Sequence, residues 1–360
     1  MSENGERLRG YPEEISKKPG VTVVSARHAD KETSTTILES ADVQLQLSEA
    51  GKENARQEAL EFYHYILRVV PFGGIVSLSS SILDRSVETR QIFIDTLLEC
   101  IRNNEDHASA VFAVYRYNSD GTPRSQDEIR RATRDTRARY VIIDEKADED
   151  LGYRRSEGDN VGPFNGAMEF FKNEHFVSMM WAAHPDEFPE LIERLYEEVR
   201  APYGDLSEEE EAQLLNRIVE EAEKYLFHSR RTPEELAANQ LEGIERSVAT
   251  ALEVHPKRRH VLHFIQHAPG LSFLALALFQ KDGISFKNYD SLGDYQHYLE
   301  AMSFDVDTNG NVIFVDFRKN RSSIEPVKLS DVIADLYQKA TLREKAWEDF
   351  FAQRQFAQAA

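Results

Sequence analysis

The sequence predicts an α/β fold, a three-layer α/β/α sandwich with a mostly parallel central sheet and a helical insertion. Three observations carry this. Apolar runs of strand length alternate with amphipathic helical stretches from residue 21 onward, and a β-α-β-α opening implies a parallel sheet with right-handed crossovers. The first run, Val21–Ser25, begins with four β-branched residues (Val21, Thr22, Val23, Val24), which suits a central strand covered on both faces. The block from 165 to 254 is almost entirely helical in pattern.

The elements follow in order. Residues 1–20 are polar with Gly and Pro and read as a flexible tail, and residues 29–47 as a polar loop. Ser48 is placed as an N-cap with Glu49 in the first turn. Ala55, Ala59, Phe62, Ile66 and Leu67 then fall at helical spacing, so the helix covers 49–68 until Pro71 and Gly73-Gly74 stop it. Ile75–Ser79 is a second strand, followed by a helix carrying Ile92, Phe93, Leu97 and Ile101. Ala110–Tyr117 and Tyr140–Asp144 read as strands on either side of a charged stretch. Within the helical insertion, Ser207 and Thr232 precede acidic residues and mark helix starts, with Pro233 in a first turn. His260–Ile265 is the next buried strand and Leu271–Phe279 an apolar helix. Asn309-Gly310 sits between apolar runs in the stretch Asp305–Arg318, a hairpin signal. The α/β domain is expected over 21–328. A C-terminal helical extension over 329–360 packs through Ile333, Leu336, Tyr337 and Trp347.

Composition narrows the function classes. The chain has 360 residues, 41% hydrophobic and 29% charged, as expected of a soluble globular protein. Its formal net charge of −20 argues against nucleic acid or anionic membrane as partners. No run approaches the about 18 apolar residues of a membrane span, and the first twenty residues carry no signal-like apolar stretch, so a cytoplasmic protein is expected. The single cysteine, Cys100, lies in a helical apolar pattern and reads as a small core residue.

Chemistry gathers at the carboxyl ends of the expected parallel strands, where ligands bind in open α/β sheets. Arg27-His28 follows the first strand, Arg85 lies ten residues after Ile75, and His267 ends the stretch HVLHFIQH. An Arg there is a fixed planar charge for an anion and a His a candidate nucleophile. His260 and His263 alternate with apolar residues on one strand, and no further ligand cluster accompanies them. DxDxDG, HExxH, paired CxxC and GxxxxGK[ST] patterns are absent, so no metal and no nucleotide cofactor is expected.

Four stretches in order resemble the histidine phosphatase superfamily, its phosphoglycerate mutase-like branch. The strand and RHG motif of that family read here Ala26-Arg27-His28-Ala29. Its helix start reads Leu47-Ser48-Glu49-Ala50-Gly51-Lys52-Glu53-Asn54-Ala55. A strand ending in serines and the second Arg element read Ser79-Ser80-Ser81 and Arg85-Ser86-Val87-Glu88-Thr89. The late S/T-H-G reads Gln266-His267-Ala268. The resemblance spans roughly residues 21–315 and marks a divergent member, with alanines at both motif glycines, Gln266 for a small hydroxyl residue and Pro269 where a second glycine is common.

The resemblance implies a metal-independent phosphomonoesterase. His28 would carry a transient phosphohistidine, and Arg27, Arg85 and His267 would surround the transferring phosphoryl group. The general acid falls at Asp148, four residues before Gly152, with Glu149 as its neighbour. A small phosphorylated substrate or a phosphoprotein is the expected partner. A catalytically weakened phosphate-binding or regulatory relative is the second reading, and a phosphomutase the third. The sequence leaves oligomeric state open.

Overall fold

The computed structural model describes residues 11–30, 46–103, 112–114, 140–145, 174–201, 206–228, 232–267, 270–279, 283–292, 298–317 and 320–359, with single positions at 125, 128, 131 and 151. The strands are β1 (Gly20–Arg27), β2 (Ile75–Ser80), β3 (Phe112–Val114), β4 (Tyr140–Asp144), β5 (Arg259–Gln266), β6 (Ala301–Val306), β7 (Asn311–Phe317) and β8 (Asn320–Lys328). The helices described are α1 (Glu49–Val69), α2 (Asp84–Asn103), α3 (Glu174–Ala182), α4 (Phe188–Arg200), α5 (Glu208–His228), α6 (Pro233–Val254), α7 (Gly270–Phe279), α8 (Phe286–Ser291) and α9 (Leu329–Ala359).

Among the described residues the sheet has eight strands in the order β3-β4-β2-β5-β1-β6-β7-β8. From β3 to β1 every pairing is parallel, and from β1 to β8 every pairing is antiparallel. All eight residues of β1 are buried. Val21 and Val23 point into one core with Leu262 and Phe264 of β5, and Val24 and Ala26 into the opposite core with Val261 and Ile265. The second core is closed by Ala55, Ala59, Phe62 and Ile66 of α1 and by Phe93 and Leu97 of α2. The first is closed by α3 through α9. That double burial is the three-layer arrangement, and it is why both central strands lack an exposed polar face.

Local signals account for the helix starts. Ser48 caps α1 by accepting from Gly51 N (2.9 Å), and Thr232 caps α6 by accepting from Glu235 N (3.1 Å), with Pro233 in its first turn. Ser207 and Glu210 exchange hydrogen bonds as a capping box before α5. The hairpin between β6 and β7 turns through Asp307, whose Oδ1 accepts from Asn309 N and Asn311 N (2.8 and 2.9 Å). Gly310 there takes the left-handed conformation (φ 81°), and the ladder shifts register beside it, a type I turn closed by a bulge.

Three expectations need correction. The tail expected to residue 20 is packed in its second half: Tyr11 and Ile15 are buried against α1, and Gly20 already belongs to β1. Polar, Pro- and Gly-containing composition concealed two apolar anchors. β6 begins at Ala301, before the expected hairpin start, and β8 and the short α8 had no sequence counterpart. Among the described strands β8 lies at one edge of the sheet, and it contains Pro326, a residue that edge strands tolerate. The final helix, α9, lies on α6. Its Arg343, fully buried, pairs with Glu234 (Nε to Oε2 2.7 Å) and donates to the Ala182 and Ala183 carbonyls that end α3 (2.9 and 2.7 Å). Among the described residues no helix is long and apolar enough to cross a membrane.

Candidate active site

Strand order brings four of the expected residues together, Arg27, His28, Arg85 and His267. β2, β5 and β1 are neighbours, so the segments leaving their carboxyl ends converge: Ser81 to Thr89 after β2, His267 after β5, and Arg27-His28 at the end of β1. β6 runs antiparallel to β1, with Ala301 opposite Ala26, so the residues just before it arrive at the same end. Backbone bonds tie the segments. His28 N donates to Gln266 O (3.0 Å), Ser81 N to Ile265 O (2.9 Å), and Arg27 N to Glu300 O (3.0 Å).

His28 is 3% exposed, and contacts at its two ring nitrogens hold it in one tautomer. Nδ1 lies 2.6 Å from the Ala29 carbonyl, which only accepts, so Nδ1 carries the proton. Arg85 Nε, which only donates, approaches Nε2 at 3.0 Å, so Nε2 presents a lone pair. The ring is therefore neutral with its nucleophilic nitrogen facing a guanidinium. The loop behind it is fixed twice. Ala29 N donates to Thr89 Oγ1 (3.2 Å), and Thr89 Oγ1 donates to Arg85 O (2.7 Å), which couples the loop to the first turn of α2. Asp30 O accepts from Ser48 N (3.2 Å) at the start of α1. Gly51 sits directly over that carbonyl, and a Cβ there would collide with it.

His267 lies beside His28, ring centroids 4.8 Å apart, and its Nε2 is within hydrogen-bond distance of Ser81 Oγ (2.7 Å) and Ser86 Oγ (3.0 Å). Arg27 is 4% exposed, with its guanidinium 4.0 Å above the Tyr298 ring. The same ring is 5.7 Å from His28. Tyr298 precedes Leu299, the one non-glycine described residue with positive φ (62°). Leu299 N donates to Arg27 O (3.2 Å), so the strained turn is pinned to β1 and sets the aromatic wall over Arg27.

Arg27, His28, Arg85 and His267 thus gather at one end of the sheet, the first two and His267 buried and Arg85 half-buried. Asp148 and its neighbour Glu149 lie outside the described residues. The segment leading toward them is anchored where β4 ends. Asp144 and Arg90 pair there at 3.6 Å, both buried, and Arg90 also donates to the Glu145 carbonyl. Tyr298 and Arg90 carried no signal in the sequence. Each stands alone in its stretch, and its role depends on a neighbour distant in the chain. Ser81, Ser86 and Thr89 lay within quoted motifs without an assigned part.

The other strand histidines belong to the core. His263 is enclosed by Tyr11, Phe62 and Phe93 and shares a 2.6 Å hydrogen bond with Tyr11 Oη. Burial pushes its pKa down to about 3, and that of His260 down to about 4, so both rings are neutral. Among the described residues no three His, Cys, Asp or Glu side chains converge as metal ligands would.

No protein-family model matches the chain, and no curated protein matches it. Solved structures do. A mycobacterial glucosyl-3-phosphoglycerate phosphatase complexed with VO3 is 14% identical, over 79% of this chain and 92% of that one, with a TM-score of 0.36. A mycobacterial hydrolase is 13% identical over 89% and 97%, with a TM-score of 0.38. The multiple inositol polyphosphate phosphatase of Bifidobacterium longum, in complex with inositol hexasulfate, is 10% identical over 93% and 95%, with a TM-score of 0.42. The first and third are phosphatases by name. At such identities the chemistry of this chain has to be read from its own side chains.

Proposed function

We propose that the chain is a phosphomonoesterase that passes the phosphoryl group through His28. The observation that carries this reading is the pair of contacts at His28, Nδ1 2.6 Å from Ala29 O and Nε2 3.0 Å from the Arg85 Nε donor, which places the proton on Nδ1 and a lone pair on Nε2. A histidine kept neutral among cationic groups suits attack on an anionic phosphorus better than general-base work on a distant proton.

In the first step the Nε2 lone pair forms an N–P bond while the ester P–O bond breaks. The leaving oxygen takes that electron pair and a proton from a carboxylic acid, for which Asp148 is the candidate and Glu149 the neighbour. In the second step water attacks phosphorus, the N–P bond breaks with its pair returning to Nε2, and the carboxylate takes the water's proton. Arg27, Arg85 and His267 are the donors toward the equatorial oxygens, where charge resides throughout. Every proton and electron pair is then accounted for without a metal.

The test is hydrolysis of an aryl phosphate in the presence of EDTA. Wild type is expected to turn over, and His28→Ala to lose about 10⁴-fold or more, the scale seen when a covalent nucleophile is removed. Turnover abolished by EDTA, or unchanged in His28→Ala, overturns the reading. Phosphate binding without turnover would favour a binding protein built on the same pocket.

A further inference from the structure

Gln266 is the last residue of β5 and is paired in register with Arg27, the last residue of β1. In a parallel pair, register partners present their side chains on the same face. Here that is the face of Val21, Val23, Leu262 and Phe264, which share one core. Gln266 thus stands beside Arg27 and immediately before His267. Its backbone carbonyl accepts from His28 N (3.0 Å), so the residue is fixed against the reacting histidine. Its exposure is 0%, beside the 2–4% of Arg27, His28 and His267.

The side chain is anomalous. Both carboxamide atoms, Oε1 and Nε2, are buried and have no hydrogen-bond partner among the described residues. Leaving a buried polar atom unpaired costs about 1–3 kcal/mol, and such an atom in a native structure calls for an explanation. Leucine or methionine would fill the same volume without that cost, and the adjacent apolar residues of β5 show that this face accepts them. A phosphate monoester supplies what the carboxamide lacks. Its oxygens accept from Nε2–H, and in the monoanion its O–H donates to Oε1.

We infer that Gln266 is a fourth binding group for the phosphoryl moiety, its Nε2–H donating to a phosphoryl oxygen beside Arg27. This rests on the phosphomonoesterase reading of the same site. The contact is to the phosphoryl group and not to the leaving alcohol, so it acts equally on every substrate and on inorganic phosphate.

Gln266→Leu, with Gln266→Met as the second isostere should leucine fold poorly, separates this role from a structural one. Melting temperature is expected to stay level or rise, because an unpaired buried amide is removed. kcat/KM for two aryl phosphates with different leaving groups is expected to fall equally, about ten- to a hundredfold. The inhibition constant of inorganic phosphate should weaken by a similar factor. A variant that melts higher while keeping wild-type kcat/KM and phosphate inhibition overturns the inference. So does a loss that differs between leaving groups with phosphate inhibition unchanged. His28→Ala run alongside reports on the parent reading separately. Should wild type bind phosphate without turning over, phosphate affinity of wild type against Gln266→Leu still decides the role of Gln266. A wild type that binds no phosphate overturns both.

Discussion

At the scale of single residues, His28 is defined by what its neighbours are able to do. A carbonyl cannot donate and a guanidinium cannot accept, so the positions of Ala29 O and Arg85 Nε fix the proton on Nδ1 without any appeal to mechanism. Arg85 serves this through its Nε, an atom lysine does not have. Arg85→Lys keeps the charge and loses the directed donor. We expect it to lower kcat on an aryl phosphate by about ten- to a thousandfold, the range for removing one preorganised donor, with little change in melting temperature. Steady-state kinetics beside a thermal melt checks this, and a wild-type kcat would show that Arg85 is not part of the clamp. The Arg27-His28 dipeptide, Arg85 and His267 were all legible in the sequence because each follows a strand of recognisable composition. Tyr298 was not, since only the return of the chain before β6 lays its ring over Arg27.

At the scale of elements, the site depends on how α1 docks on the loop after β1. Gly51 lies in the first turn of α1 and is buried over the Asp30 carbonyl. Alanine is the better helix former by about 1 kcal/mol. Here, however, its methyl would strike backbone, which cannot rotate away. Gly51→Ala is therefore expected to destabilise by about 1–3 kcal/mol, the cost of overpacking, against the sign of helix propensity. Activity should fall with it, because Asp30 is two residues from His28 and bonded to Ser48. Urea denaturation and kinetics on one preparation test both, and a stabilised variant would show that the loop yields. The helix itself was readable from the Ser48 cap and the spacing of Ala55, Ala59, Phe62 and Ile66. The reason for its glycine was not, because the carbonyl it avoids belongs to another segment.

At the scale of the whole molecule, burial makes two histidines of β5 sensors of the folded state. Their pKa values fall to about 3 for His263 and about 4 for His260, against about 6.5 in an unfolded chain. As pH drops below about 6.5 the unfolded chain takes up these protons and the folded protein does not, so stability rises with pH across this window and is lost toward acid. Each ring accounts for about 2 kcal/mol between pH 7 and pH 5. In His263→Phe, which keeps an aromatic ring in the cage of Tyr11, Phe62 and Phe93, the acid loss over that interval should shrink by about that amount. Chemical denaturation at the two pH values measures it, and an unchanged difference would place a charge-stabilising group near the ring. The partner Tyr11 comes from the segment whose composition looked like a tail, which is why this packing escaped sequence reading.

The sequence by itself determined the layer architecture, the carboxyl ends of the central parallel strands and the residue types gathered there. These follow from periodicity, β-branching, caps and turns, which act over a few residues and leave their mark locally. Only the tertiary structure decided which ends meet. The order β4-β2-β5-β1 places four segments, distant in the chain, on one edge, and the antiparallel return into β6 adds a fifth. Register then set Gln266 beside Arg27, and the sites of close approach set Gly51 over Asp30. Pair geometry of this kind depends on the summed packing of whole layers, so no local stretch of the chain records it.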